Sequence, residues 1–341
     1  MPPPIKKLSE GGNNIITSCE IWVNFAQIFI ALQGDVNMKR SYKFFAGIAL
    51  FALLLAGCNN SDGNNSGGGS SDARRADMYT VFEMDSKLYI YFGSYPQSVV
   101  SDPSLKTELS KITTTNSKGY YEYGGSEYAK KNVNAGSYLY KYADGTQVTN
   151  NTTEFFKVEP ILWRILTSDS SGNCILLAEQ AINTHRYDSS SNNYMNSEIR
   201  TWLNDDFYNS AFKSTEKGAI LTTTVDNSAA TTNSISNPYA CDNTSDKVYL
   251  LSYKDYLTSY GFSTSNARYC EPTDYAIANG SFMYMDERNC NYWTRSPDSD
   301  ASNCGWTVSY DGDLRYDIIN DEYGVGGSSV SVRPSLSINI A

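Results

Sequence analysis

Apolar and polar residues alternate in several short stretches from residue 87 onward, and this alternation predicts β-strands. KLYIYFGSYPQS (87–98) places apolar side chains at every second position and then reaches Gly and Pro, so we expect a strand that ends in a turn. Two apolar runs flank the turn sequence SDSSGN and predict a hairpin of residues 161–167 and 173–179. Near the C-terminus, NYWTRS, GWTVSYDG and SVSVRPSLSINI predict three more strands.

Helical periodicity is confined to a few short segments. MNSEIRTWLNDDFYNSAF places Ile199, Trp202 and Leu203 on one face behind an Asn-Ser pair that can cap a helix. Ser252 and Asp255 have the spacing of a capping box, and EPTDYAIANG predicts another short helix that ends near its Gly. Many short strands, few helices and no alternation of strand and helix indicate an α+β fold with a mainly antiparallel sheet.

The region from Met38 to Cys58 has the pattern of an export signal. It reads MKRSYKFFAGIALFALLLAGC, with basic residues followed by about 12 apolar ones, which are too few to cross a bilayer. We therefore predict a signal peptide at 38–57. Its last residues resemble the lipobox of bacterial lipoproteins, a resemblance that implies cleavage before Cys58 and attachment of lipid, such as palmitate, at this cysteine.

The rest of the chain divides into segments of different composition. We interpret residues 1–37 as an over-extended gene start, with a translated cytoplasmic leader or amphipathic segment as the alternative. Residues 58–77 are rich in Gly, Ser and Asn and predict a flexible tether behind the lipidated cysteine. Residues 78–341 contain no second linker and predict one globular head, in which 101–153 forms a long peripheral insertion of strands and loops.

Charge restricts the partners of this head. Residues 1–57 hold five of the 27 Lys/Arg and three of the 37 Asp/Glu, which leaves 22 basic and 34 acidic residues and a formal balance of −12. A surface of this sign repels phosphate backbones, so nucleic acid is excluded as an expected partner. We expect a protein in the bacterial cell envelope, held to the membrane by its lipid and exposed on the outer surface.

Cysteine use agrees with export but leaves the pairing open. Disulfides form in exported proteins, and five cysteines follow Cys58. We favour a bridge between Cys270 and Cys290, which flank one segment just before a predicted strand; other pairings remain possible. These five residues are Cys174, Cys241, Cys270, Cys290 and Cys304.

Catalytic and metal-binding patterns are weak. His185 is the single histidine, so a zinc site built from histidines is excluded, and we interpret this residue as part of a loop or strand edge. We predict no cofactor; a calcium ion bound by DSDASN (298–303) is the alternative, although the segment lacks the Gly and distal Glu of an EF-hand loop. We predict no catalytic residue and consider an enzyme less favoured than a binding protein.

Tyrosine is the residue that points to binding. The chain has 27 tyrosines, and together with Ser, Asn and Gly they give the composition of protein-binding loops, in which Tyr provides broad contact at small entropic cost. The alternative is that Tyr follows β-propensity. For the C-terminal loops within 298–329 we favour binding. Our candidate contact residues are Trp306, Tyr310, Asp311, Asp313, Arg315 and Tyr316.

Several motifs occur in an order that resembles a known family. FGSYPQS, VEPILWRIL, SEIRTWLNDDFYNSAF, DKVYLLSYKDY, EPTDYA, WTRSP and VRPSL resemble an uncharacterised family of bacterial surface proteins known only as a domain of unknown function. The closing WTRSP and VRPSL also resemble the ends of C-type-lectin-like and formylglycine-generating-enzyme-like folds, and of variable proteins diversified by retroelements. The resemblance implies a C-type-lectin-like core.

These observations lead to three hypotheses. The first is a surface lipoprotein whose head binds a protein or a glycan through its C-terminal polar and aromatic loops. The second is an extracytoplasmic enzyme, either an oxidase similar to the formylglycine-generating enzyme or a glycan hydrolase. The third is a structural envelope lipoprotein without a discrete ligand.

Overall fold

The computed structural model describes residues 79–319 and 330–341. The predicted signal peptide, Cys58, the tether and the end of the predicted contact segment lie outside these ranges and stay predictions.

The described chain is built mainly from short strands arranged in two larger sheets and one small one. An eight-stranded sheet has the order β1-β2-β5-β6-β15-β10, with β4 also paired to β5 and β3 to β4. A five-stranded sheet has the order β13-β12-β11-β14-β7, and β8 pairs with β9. The strands are β1 Val81–Met84, β2 Lys87–Val99, β3 Tyr121–Tyr123, β4 Ser126–Asn132, β5 Thr153–Ser168, β6 Asn173–Ala178, β7 Asn183–Thr184, β8 Thr223–Val225, β9 Thr244–Asp246, β10 Val248–Tyr249, β11 Tyr292–Pro297, β12 Cys304–Val308, β13 Leu314–Ile318, β14 Ser331–Val332 and β15 Ser335–Asn339.

Helices in these residues are short. The α-helices are α1 Pro103–Lys111, α2 Glu198–Trp202, α3 Tyr208–Ala211, α4 Ser214–Lys217, α5 Tyr253–Thr258, α6 Ser265–Arg268 and α7 Asp274–Ala278. A π-helical turn, Leu203–Phe207, joins α2 to α3, and single 3₁₀ turns lie at Tyr194–Asn196 and Ala229–Thr231. Among the strands of the described residues, every pair is antiparallel except β11 with β14. The predicted mainly antiparallel fold with few short helices is thus confirmed.

Local sequence accounts for several of these elements. The predicted hairpin is β5 and β6, and Trp163 on β5 is fully buried and donates from Nε1 to the Phe92 carbonyl at 2.7 Å. Ser197 caps α2 by accepting from the Arg200 N–H. Ser252 caps α5, and Asp255 completes the predicted capping box.

Two predictions were wrong in detail. Strand β2 does not end at Gly93 but continues to Val99 through two irregularities in its register with β5. Gly93 permits this because its φ is +67° and a Cβ there would lie 2.5 Å from the Phe212 ring. Residues 101–153 are not only strands and loops, since they include α1 with a Pro in its first turn, and β4 joins the large sheet beside β5.

The main core brings together residues of the large sheet, the five-stranded sheet and helix α2, including Trp163, Ile199, Trp293, Val332 and Leu336. Burial of such side chains is the main favourable term in folding, at about 25 cal/mol per Å² of apolar surface. No helix within residues 79–319 and 330–341 combines the length and apolar character needed to cross a membrane.

Candidate functional site

A cavity of about 320 Å³ opens between two segments that are far apart in sequence. One wall comes from residues 136–140 and the other from the loop 282–286, which follows α7. Aromatic and methionine side chains dominate the lining, and Asp286 is the one charged residue among the described residues that line it. The lining consists of Gly136, Ser137, Tyr140, Phe282, Met283, Tyr284, Met285 and Asp286.

Hydrogen bonds hold the two walls together. The Met283 N–H donates to the Tyr140 hydroxyl oxygen at 3.1 Å, and the Arg288 Nη1 donates to the Lys141 carbonyl at 2.9 Å. Behind the walls, Tyr140 and Met283 belong to one buried apolar cluster with Ile277 of α7. Residues 136–140 therefore form a fixed wall of the cavity.

Asp274 joins a third element to the same region. Its carboxylate accepts from the Val99 N–H at 3.1 Å and from the Ala143 N–H at 2.8 Å. Burial raises the pKa of Asp274 to about 6, although these two backbone hydrogen bonds and the charge of Arg288, 4.0 Å away, oppose the shift. A single buried carboxyl group thus connects β2, the segment just after the first wall, and α7.

Tyr310 is the predicted contact residue that packs on lining residues of this cavity. It begins the turn between β12 and β13, and its ring stacks on Tyr284 with centroids 4.8 Å apart and 23° between the planes. Phe282 lies 5.5 Å from the same ring. The Tyr310 N–H donates to Asn291 Oδ1 at 2.9 Å, which fixes the backbone behind the ring.

The turn that carries Tyr310 is packed against helix α6. Gly312 has a φ of +77°, and a Cβ there would lie 2.1 Å from the Ser265 carbonyl oxygen. Arg268 is buried and donates from Nε to the Gly312 carbonyl at 2.6 Å. These contacts hold the turn in one place against α6, and only glycine fits at position 312.

Asp311 and Asp313 of the same turn form a cluster with Arg315 of β13. Arg315 pairs with Asp311 and lies 3.8 Å from Asp313, and Ser265 Oγ donates to Asp313 at 3.0 Å. Exposed pairs of this kind contribute little to stability. The three charged groups pair with one another. They lie near Tyr310 in the sequence and are not among the residues that line the cavity.

Trp306 and Tyr316 lie on a second surface. Trp306 lies on β12 and Tyr316 lies opposite it on β13, a strand that the sequence did not predict. Trp306 is half-buried, with its ring centroid 4.6 Å from Tyr253 of α5 and 6.2 Å from Tyr316. Tyr316 is 64 % exposed and Ile318 is also exposed. Trp306 lies in β12, which is the predicted strand GWTVSYDG. The expectation of a loop was wrong for Arg315 and Tyr316, because β13 continues the sheet.

The residues that line the cavity were not among the contact residues predicted from the sequence. Tyr138 is 77 % exposed, and Leu139, Tyr284 and Met285 also expose large apolar surface at the rim. Among these, Tyr284 sits beside Asp286, whose charge and hydrogen bond raise the pKa of the Tyr284 phenol. The only available signal was an excess of aromatic residues in loop-like sequence, since nothing local pairs residues 136–140 with 282–286.

His185 has structural contacts. Its ring lies 5.4 Å from that of Trp202, Nδ1 is 2.6 Å from the Arg186 carbonyl, and its own carbonyl accepts from Trp293 Nε1 at 3.0 Å. In the part of the chain that the structure describes, no three His, Cys, Asp or Glu side chains come together as a group that could hold a metal ion.

Comparison with known proteins concerns the C-terminal half of the chain. Neither a curated protein nor a solved structure matches the sequence. Residues 171–340 match the family model described as a domain of unknown function, DUF6273. The match includes Phe282–Asp286 and Tyr310 but not the wall at 136–140, and it begins after the motifs FGSYPQS and VEPILWRIL. The predicted uncharacterised family is therefore confirmed for this range: residues 171–340 form a DUF6273 domain.

Proposed function

We propose that this chain is a lipid-anchored bacterial surface protein whose head binds a partner protein through the cavity bounded by residues 136–140 and 282–286, together with Tyr310, which packs on two of the lining residues. The observation that carries the proposal is the packing of Tyr310 on Tyr284 and Phe282 beside an open, apolar cavity. Concave apolar sites with few polar groups are the usual form of binding sites, and Tyr and Met are favoured in protein contacts.

The chemistry of the rim favours a basic segment of a protein over a glycan. Exposed Tyr138, Leu139 and Met285 offer apolar area that a partner can bury. Asp286 in the lining and the adjacent Glu287 are acidic, and residues 78–341, with 20 basic and 31 acidic residues, have a formal balance of −11. We infer that the occupant inserts an aliphatic or aromatic side chain and places a Lys or Arg near Asp286.

A peptide series tests this occupant. In the frame Gly-Phe-X-Leu-Gly, X is lysine, norleucine or glutamate, and binding to the full chain is measured by fluorescence anisotropy at low salt. We expect lysine to bind more tightly than norleucine, and glutamate most weakly. Substituting Asp286→Asn should remove most of the preference for lysine over norleucine without changing the affinity for norleucine.

The site itself is tested by a paired substitution. Tyr284→Ala with Tyr310→Ala should weaken binding of the lysine peptide at least about tenfold, because two aromatic contacts are lost. Binding that survives this double change, or a glycan array in which a sugar binds the same rim instead of the peptides, would overturn the protein-partner proposal.

Anchoring is tested separately. Wild-type chain expressed with labelled palmitate should carry label and be cleaved by protease added to intact cells, whereas Cys58→Ala should lose the label. The absence of label in the wild type would remove the lipoprotein part of the proposal and leave the binding site untouched.

We also propose that the core is C-type-lectin-like. The proposal is supported by the neighbouring framework segments WTRSP and VRPSL, which contribute β11, β14 and β15 to the two larger sheets. An experimental structure superposed on C-type lectin domains tests it; a different strand order around β11 and β14 would refute it.

A further inference from the structure

Cys270 and Cys290 lie next to each other at the base of the loop that supplies the second cavity wall. The Cys290 N–H donates to the Cys270 carbonyl at 2.9 Å, and the two thiols are near enough to shift each other's pKa. Both side chains are almost completely buried, at 3 % and 1 % exposed, and both are free thiols in the structure. A direct backbone hydrogen bond holds the two residues side by side, and disulfides span Cα separations of about 4.4–6.8 Å.

The backbone on both sides of the pair is already fixed. The Ala181 N–H donates to the Glu271 carbonyl at 3.0 Å, immediately after Cys270. On the other side, the Ser331 N–H donates to the Asn291 carbonyl at 2.8 Å, and Tyr292 begins β11. Closing the bond between the two sulfurs therefore requires rotation of two side chains rather than movement of two strands, while access of an oxidant to the buried Cys270 sulfur requires transient opening of the loop 271–289.

The surroundings of the pair distinguish the two sulfurs. Burial opposes a charge on either thiol, but the Cys290 thiol and the nearby guanidinium of Arg333 lower the pKa of Cys270. Burial and the Cys270 sulfur raise the pKa of Cys290. Arg333 is itself fully buried and donates to the Ala178 carbonyl and to the Tyr292 hydroxyl oxygen. Cys270 is thus the sulfur that is more readily deprotonated, and thiolate is the form that attacks a disulfide.

We propose that Cys270 and Cys290 are an oxidation site, at which a disulfide closes the loop 271–289 and fastens the second wall of the cavity. The Cys270 thiolate attacks one sulfur of a disulfide oxidant, and the other oxidant sulfur leaves as a thiol. The deprotonated Cys290 sulfur then attacks Cys270 and releases the second thiol. The two cysteines lose two electrons and two protons, and the oxidant disulfide gains them.

The consequence reaches the cavity because the closed loop contains both α7 and the lining residues Phe282–Asp286. A cross-link at the base reduces the freedom of the unfolded chain and opposes local opening of the loop. Compared with the dithiol, the disulfide holds Tyr284 near Tyr310 under conditions in which the loop would otherwise open.

The test uses the full chain purified in reduced form and then incubated with oxidised glutathione. Remaining thiols are alkylated under denaturing conditions and the protein is digested for mass spectrometry. We expect a peptide that joins Cys270 to Cys290, with a mass lower by two hydrogen atoms than the sum of the two thiol peptides. Alkylation of both residues, or a bridge from either one to Cys241, would overturn the proposal.

Thermal unfolding gives a second measurement. Reductant should lower the Tm of the oxidised wild type by about 6–12 °C, as estimated for a loop of this length in a domain of this size. Cys270→Ser with Cys290→Ser should show no response to reductant, whereas the control Cys174→Ala, another buried cysteine, should keep the full response. A wild type that does not respond to reductant contradicts the proposal even if the double variant fails to fold.

Because glutathione supplies the oxidant, this result does not depend on where the protein resides in the cell. Failure of the palmitate test with a positive cross-link would reject surface anchoring alone, and the opposite pair of results would reject the disulfide alone.

Discussion

Two aromatic surfaces occupy different parts of the β12–β13 hairpin, and they differ in what surrounds them. Tyr310, at the turn, stacks on Tyr284 beside a cavity whose walls come from distant parts of the sequence. Tyr316, on edge strand β13, contacts Trp306 at the surface and is mostly exposed. The same residue types therefore form a concave site in one case and a strand edge in the other. The difference depends on tertiary contacts and not on composition.

The contact between the Tyr310 turn and α6 should give the largest effect on stability. Gly312→Ala brings a methyl group against the Ser265 carbonyl and also strains a residue with positive φ. We expect a loss of about 3–5 kcal/mol in the free energy of unfolding, measured with urea. Gly261→Ala is the matched control, since Gly261 has a φ of +76° with no atom near a Cβ, and it should lose only about 1–2 kcal/mol. Equal losses would show that the turn is not packed on α6 as described.

Asp274 should make the cavity side of the molecule sensitive to pH. Its pKa is about 6 in the folded protein and near 4 when unfolded, so the folded state binds more protons between these values. The contribution of Asp274 to the free energy of unfolding should therefore be largest below about pH 4. It should fall by up to about 3 kcal/mol as the pH rises through 6.

Asp274→Asn should remove this pH dependence while lowering stability overall, because one of the two backbone donors loses its acceptor. Urea denaturation at several pH values between 4 and 7 measures both changes. A wild-type free energy of unfolding that increases from pH 4 to pH 7 would mean that burial does not disfavour the charged form of Asp274 and that its pKa is not raised.

The exposed strand edge should give the smallest effect. Tyr316→Ala removes a ring that is mostly in water, so the free energy of unfolding should change by less than about 1 kcal/mol. A loss above about 2 kcal/mol in urea denaturation would show that this ring is buried, for example by chain outside the described residues.

The sequence predicts local features of this fold well. The hairpin of β5 and β6, the Ser197 cap and the Ser252 capping box follow from residues close together in the chain. LRYDI (314–318) alternates as the other strands do, but it lies in the segment 298–329 that we interpreted as binding loops, and strand β13 was missed for this reason.

The candidate site was predicted only in part. Tyr310 was identified from its aromatic and polar surroundings in the sequence, but Tyr138 and Tyr284 were not. Their proximity depends on hydrogen bonds such as that between Met283 and Tyr140, and no sequence period links positions so far apart. For the same reason the sequence could not separate Tyr310 from Tyr316.

The most direct test of the central claim compares these two tyrosines in one binding experiment. Affinity of the lysine-containing peptide for the full chain is measured for Tyr310→Ala and Tyr316→Ala, after urea denaturation has shown that both variants are folded. If the cavity is the binding site, Tyr310→Ala should bind at least about tenfold more weakly and Tyr316→Ala should stay within about twofold of wild type. Full affinity in Tyr310→Ala together with lost affinity in Tyr316→Ala would contradict the account and move the site to the strand edge.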